Sequence, residues 1–263
     1  MALQAIDPGM RRRVETELER METENGVTIL FAIESGSRSW GFPSRDSDYD
    51  VRFVYLRPLA DYLSVSSRRD VIERPVDPVL DIGGWDLRKA LQLSLRSNAA
   101  LLEWLSSPIT YRTEAAPVGT IRQLVRSAAD PNALAAHYLN LGRRSLEKVR
   151  EDGDAVRPKD YCYALRAACC LEWLLRFHGP PPMDMPSLLS GLTPDAELLA
   201  RIQDLIARKA EGGEQDRQGH DAMLDQFLTD RLNPTPPPLP TVDRDRVGAT
   251  IDRAFCTIAL AGS

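Results

Sequence analysis

The sequence predicts an α+β protein, with a small sheet and flanking helices in the N-terminal part and an all-helical C-terminal part. Two short segments rich in β-branched and aromatic residues, VTILFAI at 27–33 and DYDVRFVY at 48–55, are typical of strands. Beyond about residue 115, apolar residues recur almost throughout with helical spacing. Proline and glycine separate these later segments, which indicates a series of helices joined by turns.

Each element is justified by a local signal. Apolar residues on one face predict a helix over 8–25, before the strand at 27–33. Small residues at 34–39 predict a turn, and an irregular loop follows up to the strand at 48–55. Asp86 and Asn98 are good N-caps for two short helices. Further strands are predicted at 70–73 and 79–82, and further helices over about 118–128, 131–151, 158–178, 195–211, 215–231 and 243–260.

Length and composition narrow the class of protein. The chain has 263 residues, 43% of them hydrophobic and 27% charged, which is ordinary for a globular protein of one large or two small domains. The net charge is −5, so the chain lacks the excess of basic residues that is typical of a protein that coats nucleic acid. No apolar segment is long enough to span a membrane, and none near the N-terminus is typical of a secretion signal. We therefore expect a cytoplasmic protein that does not enter a membrane, and the sequence gives no oligomeric state.

The four cysteines do not indicate a disulfide scaffold or a metal site. None lies in a Cys-x-x-Cys pair. Cys162, Cys169 and Cys170 have the spacing of one helix face, which predicts that they line a core.

Two aspartates at the start of the second predicted strand are the first candidate site. Asp48 and Asp50 are two residues apart, so strand alternation directs both carboxylates to one face and Tyr49 to the other. Two carboxylates held so close favour a cation between them, and Mg²⁺ is commonly bound by carboxylates together with substrate phosphates. An acidic strand end exposed to solvent, with no ligand, is the alternative.

A small turn precedes this strand, and together they resemble a known superfamily. Gly36-Ser37 followed by the Asp-x-Asp strand resembles the DNA-polymerase-β-type nucleotidyltransferases. The longer segment ESGSRSWGFPSRDSDYDVRFVY resembles their RNA-repair-associated branch, the RlaP/YcgL-type predicted nucleotidyltransferases. The segments DIGGWDLRK from Asp81, SNAALLEWLSSP from Ser97 and KDYCYALR from Lys159 match the same branch, so the resemblance covers about residues 27–190.

The resemblance implies a domain organisation and a metal-dependent reaction. Residues 1–115 would form the nucleotidyltransferase catalytic domain, and residues 116–263 a helical domain that binds substrate or nucleotide. Asp48, Asp50 and a third aspartate would hold two Mg²⁺ or Mn²⁺ ions, and NMP would pass from an NTP to an acceptor hydroxyl with release of pyrophosphate. Asp81 is our choice for the third ligand; Asp77 and Asp86 are the alternatives, although Asp86 is better explained as a helix N-cap.

Small and basic residues near the turn are candidate nucleotide ligands. The resemblance implies that the Gly36 backbone and the Ser37 hydroxyl contact triphosphate oxygens, since glycine permits a close approach. Arg38 follows directly and Arg52 alternates in register with Asp50, so both are candidates for nucleotide contact; an ordinary surface ion pair is the alternative for each. Trp40 and Phe42 would either stack on a base or anchor the loop by hydrophobic contact.

The helical part contributes a second candidate set. Lys159, Tyr163 and Arg166 lie at i, i+4 and i+7, so they form one stripe on a helix. By the resemblance, Lys159 and Arg166 would bind phosphate and Tyr163 would line the base pocket. A salt-bridged helix face that includes Asp160 and Glu172 is the alternative.

The acceptor remains open at the level of the sequence. The resemblance favours an RNA or tRNA end, whereas the acidity of the chain suits a cationic small molecule, and a protein hydroxyl is a further alternative. A non-catalytic nucleotide-binding protein is a third hypothesis, against which the intact glycine, serine and aspartates argue.

Overall fold

The computed structural model describes residues 5–75, 77–151, 153, 155–213 and 215–262. In these residues the strands are β1 (Thr28–Glu34), β2 (Tyr49–Leu56), β3 (Val71–Glu73), β4 (Leu80–Asp86), β5 (Thr110–Thr113), β6 (Ala155–Val156) and β7 (Gln218–Gly219). The helices are α1 (Pro8–Asn25), α2 (Gly36–Trp40), α3 (Leu59–Tyr62), α4 (Leu87–Ser94), α5 (Ala99–Ser106), α6 (Ala115–Ala128), α7 (Pro131–Glu151), α8 (Pro158–Phe177), α9 (Met185–Leu192), α10 (Ala196–Glu211), α11 (Ala222–Leu232) and α12 (Arg244–Ala261).

Contacts divide the described chain into two compact units. The sheet unit comprises residues 5–36, 48–129 and 242–262, and the helical unit comprises residues 37–47 and 130–241. The prediction placed one boundary between residues 115 and 116. In the structure, the loop between β1 and β2 groups with the helical unit, whereas α6 and α12 group with the sheet unit.

The sheet unit is built on a mixed five-stranded sheet in the order β3-β4-β2-β1-β5. Strands β2 and β4 are parallel, and the other neighbouring pairs are antiparallel. Apolar residues of α1 pack on one face of the sheet, where Val14, Leu18 and Met21 are buried against side chains of β1, β2 and β4. Helices α4 and α6 contact the sheet, and α12 contacts α4 and α6. The α+β fold class is therefore confirmed.

The helical unit is organised around α8. This helix packs against α7, α9, α10 and α11, and most of its side chains are buried. Cys162, Cys169 and Cys170 are among them, which confirms the prediction that they line a core. Burial raises the pKa of the Cys162 thiol to about 12, so this cysteine remains protonated at neutral pH.

Most predicted elements are present, and the differences have local reasons. The short helix α2 begins within the predicted turn at 34–39 and ends one residue after it. The predicted helix over 215–231 begins only at Ala222, because Gln218–Gly219 pairs with Ala155–Val156. Strand β5 was not predicted, because its four residues are too few to show a period. Helix α9 was also missed, although Asp184 caps it and Pro186 occupies its first turn. In the described part of the chain, none of the helices combines the length and apolar character needed to cross a bilayer.

Candidate active site

Two of the three predicted aspartates lie side by side in the sheet unit. Asp50 on β2 is the register partner of Asp81 on the parallel strand β4. Arg52, two residues after Asp50, reaches both carboxylates: its Nη2 atom lies 3.3 Å from Asp50 Oδ1 and 2.6 Å from Asp81 Oδ2. Arg52 therefore shares the face of Asp50, as strand alternation predicts, and its positive charge lies where two neighbouring carboxylates favour a cation.

The third aspartate, Asp48, lies just before β2 begins. Its side chain is exposed, whereas Tyr49 packs against the core of the sheet unit. Within the described residues, no group of three or more histidine, cysteine, aspartate or glutamate side chains is arranged to hold a metal ion. The donors themselves are hard carboxylate oxygens, which suit Mg²⁺ or Mn²⁺. The residue types thus fit such an ion, and the register of β2 and β4 places Asp50 beside Asp81.

Gly36 is fitted closely against Asp50. Its φ of +60° lies in the left-handed region that favours glycine. A Cβ atom at this position would lie 1.9 Å from Asp50 Oδ2, far inside van der Waals contact. The chain therefore brings the Gly36 backbone against this carboxylate at a distance that only glycine permits.

A buried carboxylate that was not predicted from the sequence is hydrogen-bonded to the backbone of Asp50. Glu34, the last residue of β1, is fully buried. Its Oε1 accepts the backbone N–H of Asp50 at 3.1 Å, and its Oε2 accepts the hydroxyl of Tyr111 at 2.6 Å. The only signal in the sequence was a charged residue at the end of an apolar strand.

Residues 37–47, the loop between β1 and β2, belong to the helical unit. Ser37 and Arg38 are both buried, and Arg38 donates from Nη2 to the backbone carbonyl of Ser47 at 2.6 Å. The backbone N–H of Phe42 donates to the Ser37 carbonyl at 3.0 Å. Both predicted nucleotide ligands therefore take part in the internal hydrogen bonding of this loop.

The stripe predicted on α8 contacts the same loop through an aromatic cluster, which consists of Trp40, Phe42 and Tyr163. The ring of Tyr163 meets that of Trp40 edge-on, with centroids 5.2 Å apart, and Phe42 lies 6.2 Å from Tyr163. Phe42 is fully buried, which supports its interpretation as a loop anchor. Arg166 stacks over Trp40 at 4.6 Å, and Lys159 lies 5.9 Å from the ring of Tyr163.

The three residues of the stripe differ in burial. Lys159 and Tyr163 are partly exposed, whereas Arg166 is only 3% exposed and donates from Nε to the Met183 carbonyl at 3.0 Å. Lys209 on α10 was also not predicted from the sequence. Its side chain is buried, with Nζ 3.3 Å from Ser44 Oγ and 5.9 Å from the ring of Phe42. Lysine is almost never fully buried without partners, but helical periodicity alone did not distinguish Lys209 from surface residues.

Comparison with known proteins identifies the class. A model of a DNA polymerase beta family matches residues 10–257, nearly the whole chain. The chain belongs to this family, RlaP, described as an RNA repair pathway DNA polymerase beta family. The resemblance found in the sequence is thereby confirmed, and membership associates the chain with polymerase-β-type nucleotidyl transfer and with RNA repair.

Two individual proteins are similar to this chain to different degrees. The uncharacterized protein YcgL of Bacillus subtilis (strain 168) is 42% identical over 219 residues, which cover 83% of this chain and 84% of that protein. A solved structure of a nucleotidyltransferase-like protein from Exiguobacterium sibiricum 255-15 is 14% identical and has a TM-score of 0.31, over 84% of this chain and 75% of that one. The second likeness is too low to support any inference.

Proposed function

We propose that this protein is a metal-dependent nucleotidyltransferase that transfers an NMP from an NTP to a hydroxyl at an RNA or tRNA end. The observation that carries the proposal is the pairing of Asp50 with Asp81 on neighbouring parallel strands, with Gly36 packed against Asp50. Family membership supports both the type of reaction and its connection with RNA repair. In the reaction, the acceptor hydroxyl loses its proton to water and its oxygen forms a bond to the α-phosphorus, while the bond from that phosphorus to the α–β bridging oxygen breaks and releases pyrophosphate.

In this proposal, Asp48, Asp50 and Asp81 hold two Mg²⁺ or Mn²⁺ ions. Such ions lower the pKa of the acceptor hydroxyl and neutralise the charge of the departing pyrophosphate. The protein's own contribution is to fix its charged groups in advance, because phosphoryl-type transfer is accelerated mainly by positioning and charge. Arg52 pairs with both Asp50 and Asp81, and we propose that it pairs with the nucleotide when metal ions bind these carboxylates.

We further propose which residues contact the nucleotide. The Gly36 backbone, Ser37 and Arg38 are proposed to bind the triphosphate, and Lys159 and Tyr163, which are partly exposed, are proposed to bind phosphate and base. For Arg166, which the resemblance implied as a phosphate ligand, we propose a different role. Arg166 is buried, stacks over Trp40 and donates to the Met183 carbonyl. These contacts support a role in fixing the position of Trp40, which would in turn contact the nucleotide.

The test is a labelling screen with paired variants. Purified protein is incubated with each α-labelled NTP, Mg²⁺ or Mn²⁺, and RNA of defined 3′ ends. The variants are Asp48→Ala/Asp50→Ala, Asp81→Ala and, as a matched control, Asp70→Ala. Asp70 and Asp81 are similarly exposed, at 53% and 56%, and each pairs with one cation. We expect label in RNA that is lost with the first two variants and kept with the third.

The same screen decides between acceptors. Label that survives Asp48→Ala/Asp50→Ala contradicts the proposed mechanism. Label found only in small molecules or proteins of a lysate moves the acceptor to the alternative that the net charge of −5 favours, a cationic compound, or to a protein hydroxyl. Nucleotide binding without transfer under every condition leaves a nucleotide-binding protein.

A further inference from the structure

Glu34 is a buried charged residue that the proposed reaction does not use. It lies at the end of β1 and is fully buried. Its carboxylate accepts hydrogen bonds from the Asp50 backbone and the Tyr111 hydroxyl, and its own carbonyl accepts the Ser107 hydroxyl at 2.7 Å. A buried carboxylate is costly unless it is hydrogen-bonded, so these contacts account for its presence in the core.

Each carboxylate oxygen of Glu34 is held by a hydrogen bond. Tyr111 and the Asp50 amide both act as donors, and each carboxylate oxygen of Glu34 accepts one of these bonds. Burial, and next the negative charge of Glu34, raise the pKa of Tyr111 above its usual range, so Tyr111 keeps its proton and remains a donor. Glu34 is thus held by β5 on one side and holds the start of β2 on the other.

Around Asp50, three contacts converge on one residue. Glu34 accepts its N–H, the N–H of Ser35 donates to its carbonyl at 2.7 Å, and Gly36 packs against its carboxylate. Three successive residues at the end of β1 therefore fix the backbone and side chain of Asp50. Of these three contacts, only that of Glu34 is made by a side chain.

We propose that Glu34 is a positioning residue, which acts through the Asp50 amide and is anchored by Tyr111, and that it sets the place of the Asp50 carboxylate for metal binding. The metal-binding part of this inference rests on the proposed function. The positioning part does not, because it concerns the hydrogen bond to the Asp50 amide.

The test compares Glu34→Gln with Glu34→Leu in the full chain. Glutamine keeps an acceptor for the Asp50 amide, and its own amide donates to the Tyr111 oxygen, whereas leucine fills the space and removes both bonds. Glu22→Leu is the matched control. Glu22 also accepts a backbone N–H of β1, that of Ile29 at 2.6 Å, and pairs with Arg112 of β5, but neither contact involves Asp50.

Three measurements are made: hydrogen exchange at the Asp50 amide, Mn²⁺ affinity without nucleotide by electron paramagnetic resonance, and transfer kinetics, which give kcat and KM. For Glu34→Leu we expect exchange at Asp50 to rise, and Mn²⁺ affinity and kcat to fall, each by about tenfold, as loss of one buried hydrogen bond to a charged group implies. KM should change less than kcat, because Asp50 contributes to the reaction more than to nucleotide binding. Glu34→Gln should restore exchange protection and most of the Mn²⁺ affinity, and Glu22→Leu should change none of the three.

The outcomes separate the inference from the function on which it partly rests. Raised exchange at Asp50 with unchanged Mn²⁺ affinity shows a merely structural role and overturns the inference, as does unchanged exchange in Glu34→Leu. If Glu34→Leu does not fold, Tyr111→Phe, which removes only the anchor, must raise exchange at Asp50, and its failure to do so overturns the inference. If the unaltered protein binds no Mn²⁺, the proposed metal dependence fails, and exchange at Asp50 still decides the positioning role.

Discussion

The carboxylates of the sheet unit and the aromatic cluster of the helical unit are held by different kinds of interactions. Asp50 is fixed by backbone hydrogen bonds, by the Arg52 ion pair and by the close approach of Gly36. Trp40, in contrast, is fixed by ring packing and by the buried cation of Arg166. Directional polar contacts therefore hold Asp50, whereas less directional ring packing and a buried cation hold Trp40. We expect substitutions in the two regions to have different effects.

The largest expected effect is at the polar frame. Gly36→Ala adds a Cβ atom that would overlap Asp50 Oδ2, at a φ of +60°. We expect transfer to fall by on the order of 100-fold, because displacement of a reacting group by about 1 Å has effects of this size. Gly26→Ala is the control, since Gly26 has a φ of +58° and open space where its Cβ atom would lie. It should cost about 1–2 kcal/mol of stability from backbone strain alone and leave transfer unchanged.

Equal losses of transfer in Gly36→Ala and Gly26→Ala, measured by initial rates beside chemical denaturation, would contradict this assignment. That result would attribute the effect to general destabilisation and not to the contact with Asp50.

The aromatic cluster should respond in stability first. Arg166→Met removes the stacking on Trp40 and the hydrogen bond to Met183, which together imply a loss of about 3 kcal/mol in the free energy of unfolding. Arg176→Met, on the same helix, removes an exposed arginine that also bonds a backbone carbonyl and lies beside a ring, that of Phe177. Its cost should stay near 0.5 kcal/mol, as for surface positions. Denaturant unfolding with Trp fluorescence measures both, and similar costs would show that the buried cation does not support the cluster.

A smaller effect is expected at Arg52, and it should depend on metal. Without Arg52, the carboxylates of Asp50 and Asp81 repel each other, so Arg52→Gln should lower stability by about 1 kcal/mol or less in chelator. Adding Mg²⁺ should remove that deficit, because the ion supplies the missing positive charge. Arg112→Gln is the control, since Arg112 is equally exposed, at 23%, and pairs with Glu22. A deficit in thermal midpoint that Mg²⁺ leaves unchanged for Arg52→Gln would count against metal binding by these aspartates.

The same contrast explains how much the sequence alone could predict. The sequence predicts Asp48 and Asp50 as site residues, because the strand period of β2 and the family segments agree there. It predicts the fold class from the apolar period and from the proline and glycine residues between elements. The burial of Glu34 and Lys209 could not be predicted from the sequence. Their burial depends on partners distant in sequence, Tyr111 and Ser44, and a pattern of neighbours along the chain does not contain such contacts.

The smallest expected effect concerns the thiols, and it tests how closed the core of the helical unit is. Cys162, Cys169 and Cys170 are buried there, and burial raises the pKa of both Cys162 and Cys169, so thiolate is scarce at pH 8. Cys256, on α12 of the sheet unit, is exposed. An aromatic disulfide reagent should therefore react with one thiol quickly in native protein and with four in denaturant, and Cys256→Ser should abolish the fast reaction without altering transfer. Fast reaction of a second thiol in native protein would mean that the buried cysteines of α8 become accessible readily. The aromatic cluster, which packs on the same helix, would then lack the stable support that its contact with Arg166 implies.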